Sequence, residues 1–152
     1  MPVAIARERP DSPDAAGLIL ELEAHLATLY PSTSRHGFSV ERLVADNVDF
    51  FVLRSDGVPA GCGGILFVDE GYGEIKRMYL RPEFRGLGLG RRILEHLTRH
   101  ATSRGITLLR LETGIHQREA IALYERQGFH RIPPFGPYTD DPLTLCYEKR
   151  VG

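Results

Sequence analysis

Along the chain the apolar positions repeat every second residue, then every third to fourth, then every second again, and each change of period marks an element. Val3 to Arg7 alternates and predicts a short first strand. Ser12-Pro13-Asp14 has the make-up of a helix start, with serine at the N-cap and proline in the first turn. Leu18, Ile19, Leu22, Leu26 and Leu29 follow at helical spacing and predict an amphipathic helix over 13–29, stopped by Tyr30-Pro31. Residues 31–38 form a polar loop, and Ser39 caps a short second helix through Ala45. From Asp49 the pattern turns β-rich. Phe50 to Leu53, Val58 to Val68 and Glu74 to Leu80 read as three strands of a meander, joined by turns at Ser55-Asp56-Gly57 and at Asp69 to Gly73. Gly61, Gly63 and Gly64 inside the middle strand predict a bulge or a close backbone approach.

Arg81-Pro82 ends the third strand, because proline has no N–H to give to a ladder and restricts the residue before it. Glycines follow at alternate positions, Gly86, Gly88 and Gly90. A helix then shows Leu89, Ile93, Leu94, Leu97 and Ala101 on one face and Arg91, Arg92, Glu95 and Arg99 on the other, ending at Gly105. Ile106 to Thr113 is a dense apolar run of the central-strand type. A helix over Arg118 to Gln127 ends at Gly128, a strand begins at Phe129 to Ile132, a loop holds Pro133, Pro134, Pro137 and Pro142, and Leu143 to Lys149 is the last strand. The order β-α-α-β-β-β-α-β-α-β-β describes one mixed α/β domain over residues 1–152, with no repeat or linker that would divide it.

Strand, glycine-rich turn and helix together present free backbone N–H groups to a phosphate. Two familiar versions fail here. A G-x-G-x-x-G dinucleotide turn would need a glycine at Arg91 or Ile93, and the P-loop ending Gly-Lys-Ser/Thr is missing. What stands is Arg85-x-x-Gly88-x-Gly90 followed by Arg91.

Composition changes the picture mainly by exclusion. The chain has 152 residues, 42% hydrophobic and 26% charged, with a formal net charge of -1, so no global basic field invites nucleic acid or an anionic membrane. Two cysteines, Cys62 and Cys146, make no disulfide framework and read as buried small residues in a reducing compartment. No run is long enough to span a membrane, and Arg7, Glu8 and Arg9 fall where a signal peptide would need an apolar core. The expectation is a cytoplasmic protein. His96 and His100 stand at i, i+4 without a third ligand, so a structural role is expected and no metal.

The glycine stretch, following a strand that ends Met78-Tyr79-Leu80, resembles the acetyl-CoA signature of the GNAT superfamily of N-acetyltransferases. Ala120-x-x-Leu123-Tyr124-x-x-x-Gly128-Phe129 is similar to the second half of that pattern, and the element order matches the family across nearly the whole chain. The segments Glu74 to Tyr79, Glu112-Thr113-Gly114 and Pro133-Pro134-x-Gly136-Pro137-Tyr138 further resemble a subgroup of uncharacterised bacterial acetyltransferases. The resemblance implies a mostly antiparallel sheet of about seven strands, splayed in the middle and flanked by about four helices. It implies that Met78, Tyr79 and Leu80 pair with the pantetheine arm of acetyl-CoA as an added strand. Arg85, Gly86, Leu87, Gly88, Leu89, Gly90 and Arg91 would hold the pyrophosphate, and an N–H near Met78 or Tyr79 would polarise the thioester carbonyl. The family's asparagine before the last motif is Gln117 here, an amide of the same type moved by one methylene.

Attack of an amine on a thioester needs a base for the amine and an acid for the leaving thiolate. By the resemblance Tyr124 is the acid. Glu112 is the candidate base, since a carboxylate is costly to bury at the end of an apolar strand and since it matches the glutamate of the family's ribosomal-protein N-terminal acetyltransferases. An ion pair with Arg110 or Arg77 is its alternative, and Glu74 on the neighbouring strand is a rival base. Acceptor contacts are expected from Tyr30, Arg35, His36 and Tyr138. Lys76 and Arg77 alternate along a strand beside the cleft, so that one of them would face an acceptor carboxylate. The reading is an acetyl-CoA-dependent N-acetyltransferase of a small-molecule or amino-acid-like primary amine, working by direct attack in a ternary complex. Alternatives are a protein N-terminal or lysine acetyltransferase and a non-catalytic acyl-CoA-binding module. A homodimer stays open.

Overall fold

Serine caps, proline stops and glycine turns set the boundaries of the elements, and the apolar stripes set what packs on what. The computed structural model describes residues 2–152. Its strands are β1 (Val3–Arg7), β2 (Asp49–Ser55), β3 (Val58–Val68), β4 (Tyr72–Leu80), β5 (Leu108–Gly114), β6 (His130–Ile132) and β7 (Thr144–Arg150). The helices are α1 (Pro13–Ala27), α2 (Val40–Ala45), α3 (Leu89–Ser103) and α4 (Arg118–Arg126). The seven strands form one sheet in the order β1-β2-β3-β4-β5-β7-β6. All neighbours are antiparallel except β4 and β5.

The boundaries follow from local chemistry. Ser12 Oγ accepts the Ala15 N–H at 3.2 Å and Ser39 Oγ accepts the Arg42 N–H at 3.2 Å, so both caps act as expected. Helix α1 stops two residues short of the expected Leu29. The N–H groups of Leu29 and Tyr30 both turn back to the Leu26 carbonyl ahead of Pro31. β5 starts at Leu108 rather than Ile106, because the Ile106 N–H closes the end of α3 on the Ala101 carbonyl at 3.0 Å, with Gly105 left-handed at φ 79°. The same closure ends α4. Gly128 has φ 91°, its N–H bonds Glu125, and the Phe129 N–H bonds the Tyr124 carbonyl at 3.0 Å. Phe129 is therefore spent on the helix end, and β6 starts one residue later than expected.

One face of the sheet is covered by α1 and α2, through Leu18, Ile19, Phe38, Leu43 and Phe50. The other is covered by α3 and α4, through Leu89, Ile93, Leu94, Leu97 and Tyr124. The β3 glycines allow this close packing. A Cβ on Gly63 would sit 2.9 Å from Met78 Sδ and 3.0 Å from Ile93, and one on Gly61 would sit 2.6 Å from the Tyr79 carbonyl oxygen.

Two irregularities in β4 shape the middle of the molecule. The register with β3 shifts between Cys62 and Gly64, so that Arg77 and Met78 together stand against Gly63. Arg77 takes φ 56°, rare outside glycine, as the extra residue of a bulge. On its other edge β4 pairs with β5 only at Gly73–Leu109 and Glu74–Arg110. Beyond Glu74 the two parallel strands part, and among the described residues no strand lies beside that edge of β4 from Ile75 to Leu80.

Candidate active site

The split between β4 and β5 opens two adjoining spaces. One is a trench lined by Met78, Tyr79 and Leu80 of β4, by Ala120, Leu123 and Tyr124 of α4, and by Arg85 and Gly90 of the glycine turn. The other is a smaller chamber under the 31–38 loop, lined by Tyr30, Arg35, His36, Glu74, Lys76, Glu112 and Tyr138. Leu22, Met78, Gln117 and Tyr124 border both, so the spaces meet at these residues.

The glycine turn has the properties of an anion cradle. Gly86 and Gly88 are left-handed at φ 78° and 76°, and open space lies where a Cβ would be on either. The first bond inside α3 runs from the Arg92 N–H to the Gly88 carbonyl, which leaves the N–H groups of Leu89, Gly90 and Arg91 free. No backbone acceptor is found for those of Gly86, Leu87 and Gly88 among the described residues. Gly90 serves packing instead: its Cβ would stand 3.2 Å from Leu123. The Leu87 and Arg91 side chains point to solvent, Arg91 beside Glu95 at 3.5 Å, so these two contribute amides. Arg85 spends its guanidinium on the Leu80 carbonyl, at 3.0 and 3.1 Å, and holds the strand end against the turn. Free amides at one end of an apolar trench, beside an unpaired strand edge, fit an extended group carrying a pyrophosphate.

Tyr124 is buried where trench and chamber meet, and its hydroxyl finds no protein partner among the described residues. Burial raises its pKa, so it stays a proton donor at neutral pH. Its backbone carbonyl closes the helix end, and its ring meets that of Phe129 edge-on at 5.8 Å. The Gly-Phe pair downstream thus fixes the tyrosine's position.

Glu112 lies in the chamber wall. The arginines considered as its partners are engaged elsewhere, Arg110 with Glu148 at 3.0 Å and Arg77 with Glu23. The His36 imidazole Nε2 lies 4.0 Å from it and 3.7 Å from Asp141. Burial pushes the Glu112 carboxyl up to about 7, with Lys76 opposing and Glu74 and Asp141 adding to the rise. Glu74, the rival base, is instead the partner of Lys76. Its Oε2 accepts from Lys76 Nζ at 2.9 Å and from the Tyr138 hydroxyl at 2.5 Å, and that hydroxyl accepts from Lys76 at 2.7 Å. Burial lowers the Lys76 pKa against the pull of Glu74, and its Nζ stands 3.9 Å over the Phe38 ring.

Three of the residues expected as contacts also hold the surrounding structure. The bulge breaks the alternation of β4 and turns Arg77 inward. Its Nε donates to the Phe38 carbonyl at 2.8 Å, its terminal nitrogen bonds Glu23, and Gly37 packs where a Cβ would meet the guanidinium at 2.4 Å. Arg77 therefore anchors the 31–38 loop. The Tyr30 hydroxyl accepts the His116 N–H at 3.0 Å and lies on Gly114, where a Cβ would be 2.1 Å away. Tyr30 braces the β5–α4 loop and offers only its ring to the chamber. Gln117 Oε1 accepts the Gly114 N–H at 2.9 Å and closes that same loop, so its oxygen is unavailable to a pantetheine arm and only its NH₂ remains.

Sequence reasoning missed Asp141, held by the Leu143 N–H at 2.9 Å, and the apolar wall given by Leu22 and Leu26 of α1. An aspartate among loop prolines and leucines on a helix stripe carry no signal that sets them apart. His96 and His100 pack edge-on against Phe51, and His100 bonds Asp49 at 2.8 Å. No cluster of three or more histidine, cysteine or acidic side chains fit for a metal occurs among the described residues, and no described helix is long and apolar enough to cross a membrane.

The pattern of the Acetyltransferase (GNAT) family matches residues 19–129. An IAA acetyltransferase of Azospirillum brasilense is 45% identical over 148 residues, 97% of each chain. A crystal structure from Klebsiella pneumoniae, described as an acyl-CoA N-acyltransferase, superposes with a TM-score of 0.85 at 38% identity, covering 99% of this chain and 98% of that one. An N-acetyltransferase of Thermoplasma acidophilum, solved in complex with coenzyme A, has the same fold at a TM-score of 0.76 and 19% identity, covering 99% of each chain. With the split sheet, the glycine cradle and the tyrosine between them, these likenesses establish that the chain belongs to the GNAT family and is an N-acetyltransferase whose donor is acetyl-CoA.

Proposed function

We propose that the protein acetylates the primary amine of a small, amino-acid-like molecule by direct attack within a ternary complex. The observation that carries this reading is the chamber that adjoins the donor trench. It opens into the donor trench at Met78, Gln117 and Tyr124 and has Glu112 in its wall. The trench suits the pantetheine arm along Met78 to Leu80 and the pyrophosphate at the amides of Gly86 to Arg91. Bound there, acetyl-CoA supplies an acetyl thioester. Glu112, poised at about 7, takes a proton from an acceptor that enters mostly as an ammonium ion. The N–H of Met78 or Tyr79, at the bulge, donates to the carbonyl oxygen as charge builds on it. As the N–C bond forms and the C–S bond breaks, Tyr124 gives its proton to the departing thiolate, and the second proton lost by the acylated nitrogen returns to the phenolate and restores the phenol. Both cysteines are buried and the Cys62 thiol is pushed up to about 12, which supports direct attack over an acyl-cysteine route.

A protein acceptor would need an open groove. Tyr138 of the proline loop is instead tied to Glu74 and Lys76 across the chamber, which favours a small acceptor. A binding module without chemistry would have no use for a buried carboxyl next to a buried phenol. The relative from Azospirillum brasilense, called an IAA acetyltransferase, is consistent with a small-molecule acceptor. The test is thiol release from acetyl-CoA across a panel of amines and peptides. Turnover of small amines with none for peptides supports the reading. Turnover confined to peptides, or tight coenzyme A binding with no turnover of any amine, refutes it.

A further inference from the structure

None of the chamber's cations takes part in the reaction above, and one of them, Arg35, is incompletely bonded. Arg35 lies in the chamber wall, and Arg35 Nε is the buried side-chain nitrogen without a hydrogen-bond partner among the described residues. Its other contact is loose: a terminal nitrogen stands 3.9 Å from Glu23 Oε2, beyond hydrogen-bond length, and the other Glu23 oxygen belongs to Arg77. A guanidinium stays charged at any physiological pH, and a buried N–H with no acceptor leaves its loss of water uncompensated.

The other cations are spent. Lys76 is held by Glu74 and the Tyr138 hydroxyl, and Arg77 by Glu23 and the Phe38 carbonyl. Glu112 in turn has no lysine or arginine within ion-pair distance, only His36 at 4.0 Å. The chamber thus shows one guanidinium whose Nε–H has no acceptor among the described residues and whose ion pair to Glu23 is loose, and one carboxyl without a strong partner. An acceptor carrying both an amine and a carboxylate answers each with its opposite.

We propose that Arg35 binds the carboxylate of the acceptor, and so selects small amino acids over simple amines. Nε–H and the neighbouring terminal N–H form the planar fork that matches two carboxylate oxygens. Arg35 is then a specificity residue, and the ammonium end is left to Glu112. This rests on the amine-acetylation reading above.

The test compares matched acceptors: a set of amino acids and the amines left when each loses its carboxylate. For each pair, kcat/KM is measured with the wild-type protein and with Arg35→Ala, Arg35→Gln and Arg35→Lys, and coenzyme A binding reports that each variant is folded. The wild type is expected to favour the carboxylate-bearing member by about 10- to 100-fold, the worth of a charge-assisted bond. In Arg35→Ala and Arg35→Gln that ratio falls towards one, chiefly through KM of the carboxylate-bearing member, and Arg35→Lys keeps part of it. A wild type that prefers the decarboxylated amines, or a ratio unchanged in a folded alanine or glutamine variant, overturns the inference while leaving amine acetylation intact. No turnover of any acceptor in either set overturns both. If the alanine variant does not fold, the glutamine variant decides by the same ratio.

Discussion

Replacing Glu112 by glutamine removes a charge and little volume, and the structure assigns it opposite consequences for stability and for rate. Burial raises this carboxyl from 4.5 to about 7. A rise of that size amounts to about 3 kcal/mol of penalty on the charged form in the folded state. Below pH 4.5 the group is protonated whether folded or not, and the penalty is absent. As pH rises the unfolded chain ionises first, so the wild type loses stability up to about pH 7, and above that the loss is complete. Glu112→Gln never ionises and escapes the loss. It should gain little over the wild type at pH 5 and about 3 kcal/mol at pH 8, which for a domain of this size moves Tm by about 6–12 °C. Activity should go the other way, with kcat/KM falling about 100- to 10,000-fold as the base is lost. The wild-type kcat/KM should rise with pH to a plateau above about 7, and this limb should vanish in the variant. Thermal unfolding at the two pH values and pH–rate profiles with one acceptor measure both effects. A stability gain equal at pH 5 and pH 8 would refute the burial argument, and a variant keeping the wild-type pH–rate profile would remove Glu112 as the base.

Other substitutions probe the remaining parts. Tyr124→Phe should lower kcat by about 100-fold or more while coenzyme A binding, measured by calorimetry, changes by less than about threefold; equal losses in both would assign the tyrosine to packing. Gly61→Ala puts a methyl 2.6 Å from the Tyr79 carbonyl oxygen, so it should destabilise by about 1–3 kcal/mol in urea titration and weaken coenzyme A binding by displacing the β4 edge. Tyr138→Phe removes the bonds to both Glu74 and Lys76, and should cost about 1.5–3 kcal/mol and speed proteolysis within the 133–142 loop; unchanged proteolysis would mean that the loop is held elsewhere.

Much of the fold was legible because its signals are local. Serine caps, Pro13 and Pro31, the left-handed glycines and the apolar stripe of α3 act within a few residues of themselves, so period and punctuation located every strand and helix. The errors lie at ends where two local rules compete. Ile106 and Phe129 have strand character, but each gives its N–H to the helix before it, because a left-handed glycine precedes it. The glycine turn was legible for the same reason, as backbone geometry written into a short motif, while Tyr124 was singled out by the likeness of its motif to the family's. Within the chamber legibility was lower. Arg77 was expected to alternate with Lys76, and the rule of two failed at a bulge whose left-handed residue is an arginine with no sequence mark.

From the sequence alone came the elements, their order, the anion cradle and the kind of side chain available for proton transfer. Each depends on near neighbours in the chain. The tertiary structure decided which of those side chains are free to act. Glu74 and Glu112 are the same residue type on adjacent strands, yet one is tied to Lys76 and Tyr138 and the other is raised to about 7 in a chamber wall. Lys76, Arg77 and Arg35 are all cations, yet Arg35 Nε is the buried side-chain nitrogen that lacks a hydrogen-bond partner among the described residues. The charge state and the free hydrogen bonds of a buried group depend on what lies within about 4 Å of it in space. Here those neighbours come from loops at 31–38 and 133–142, far away along the chain.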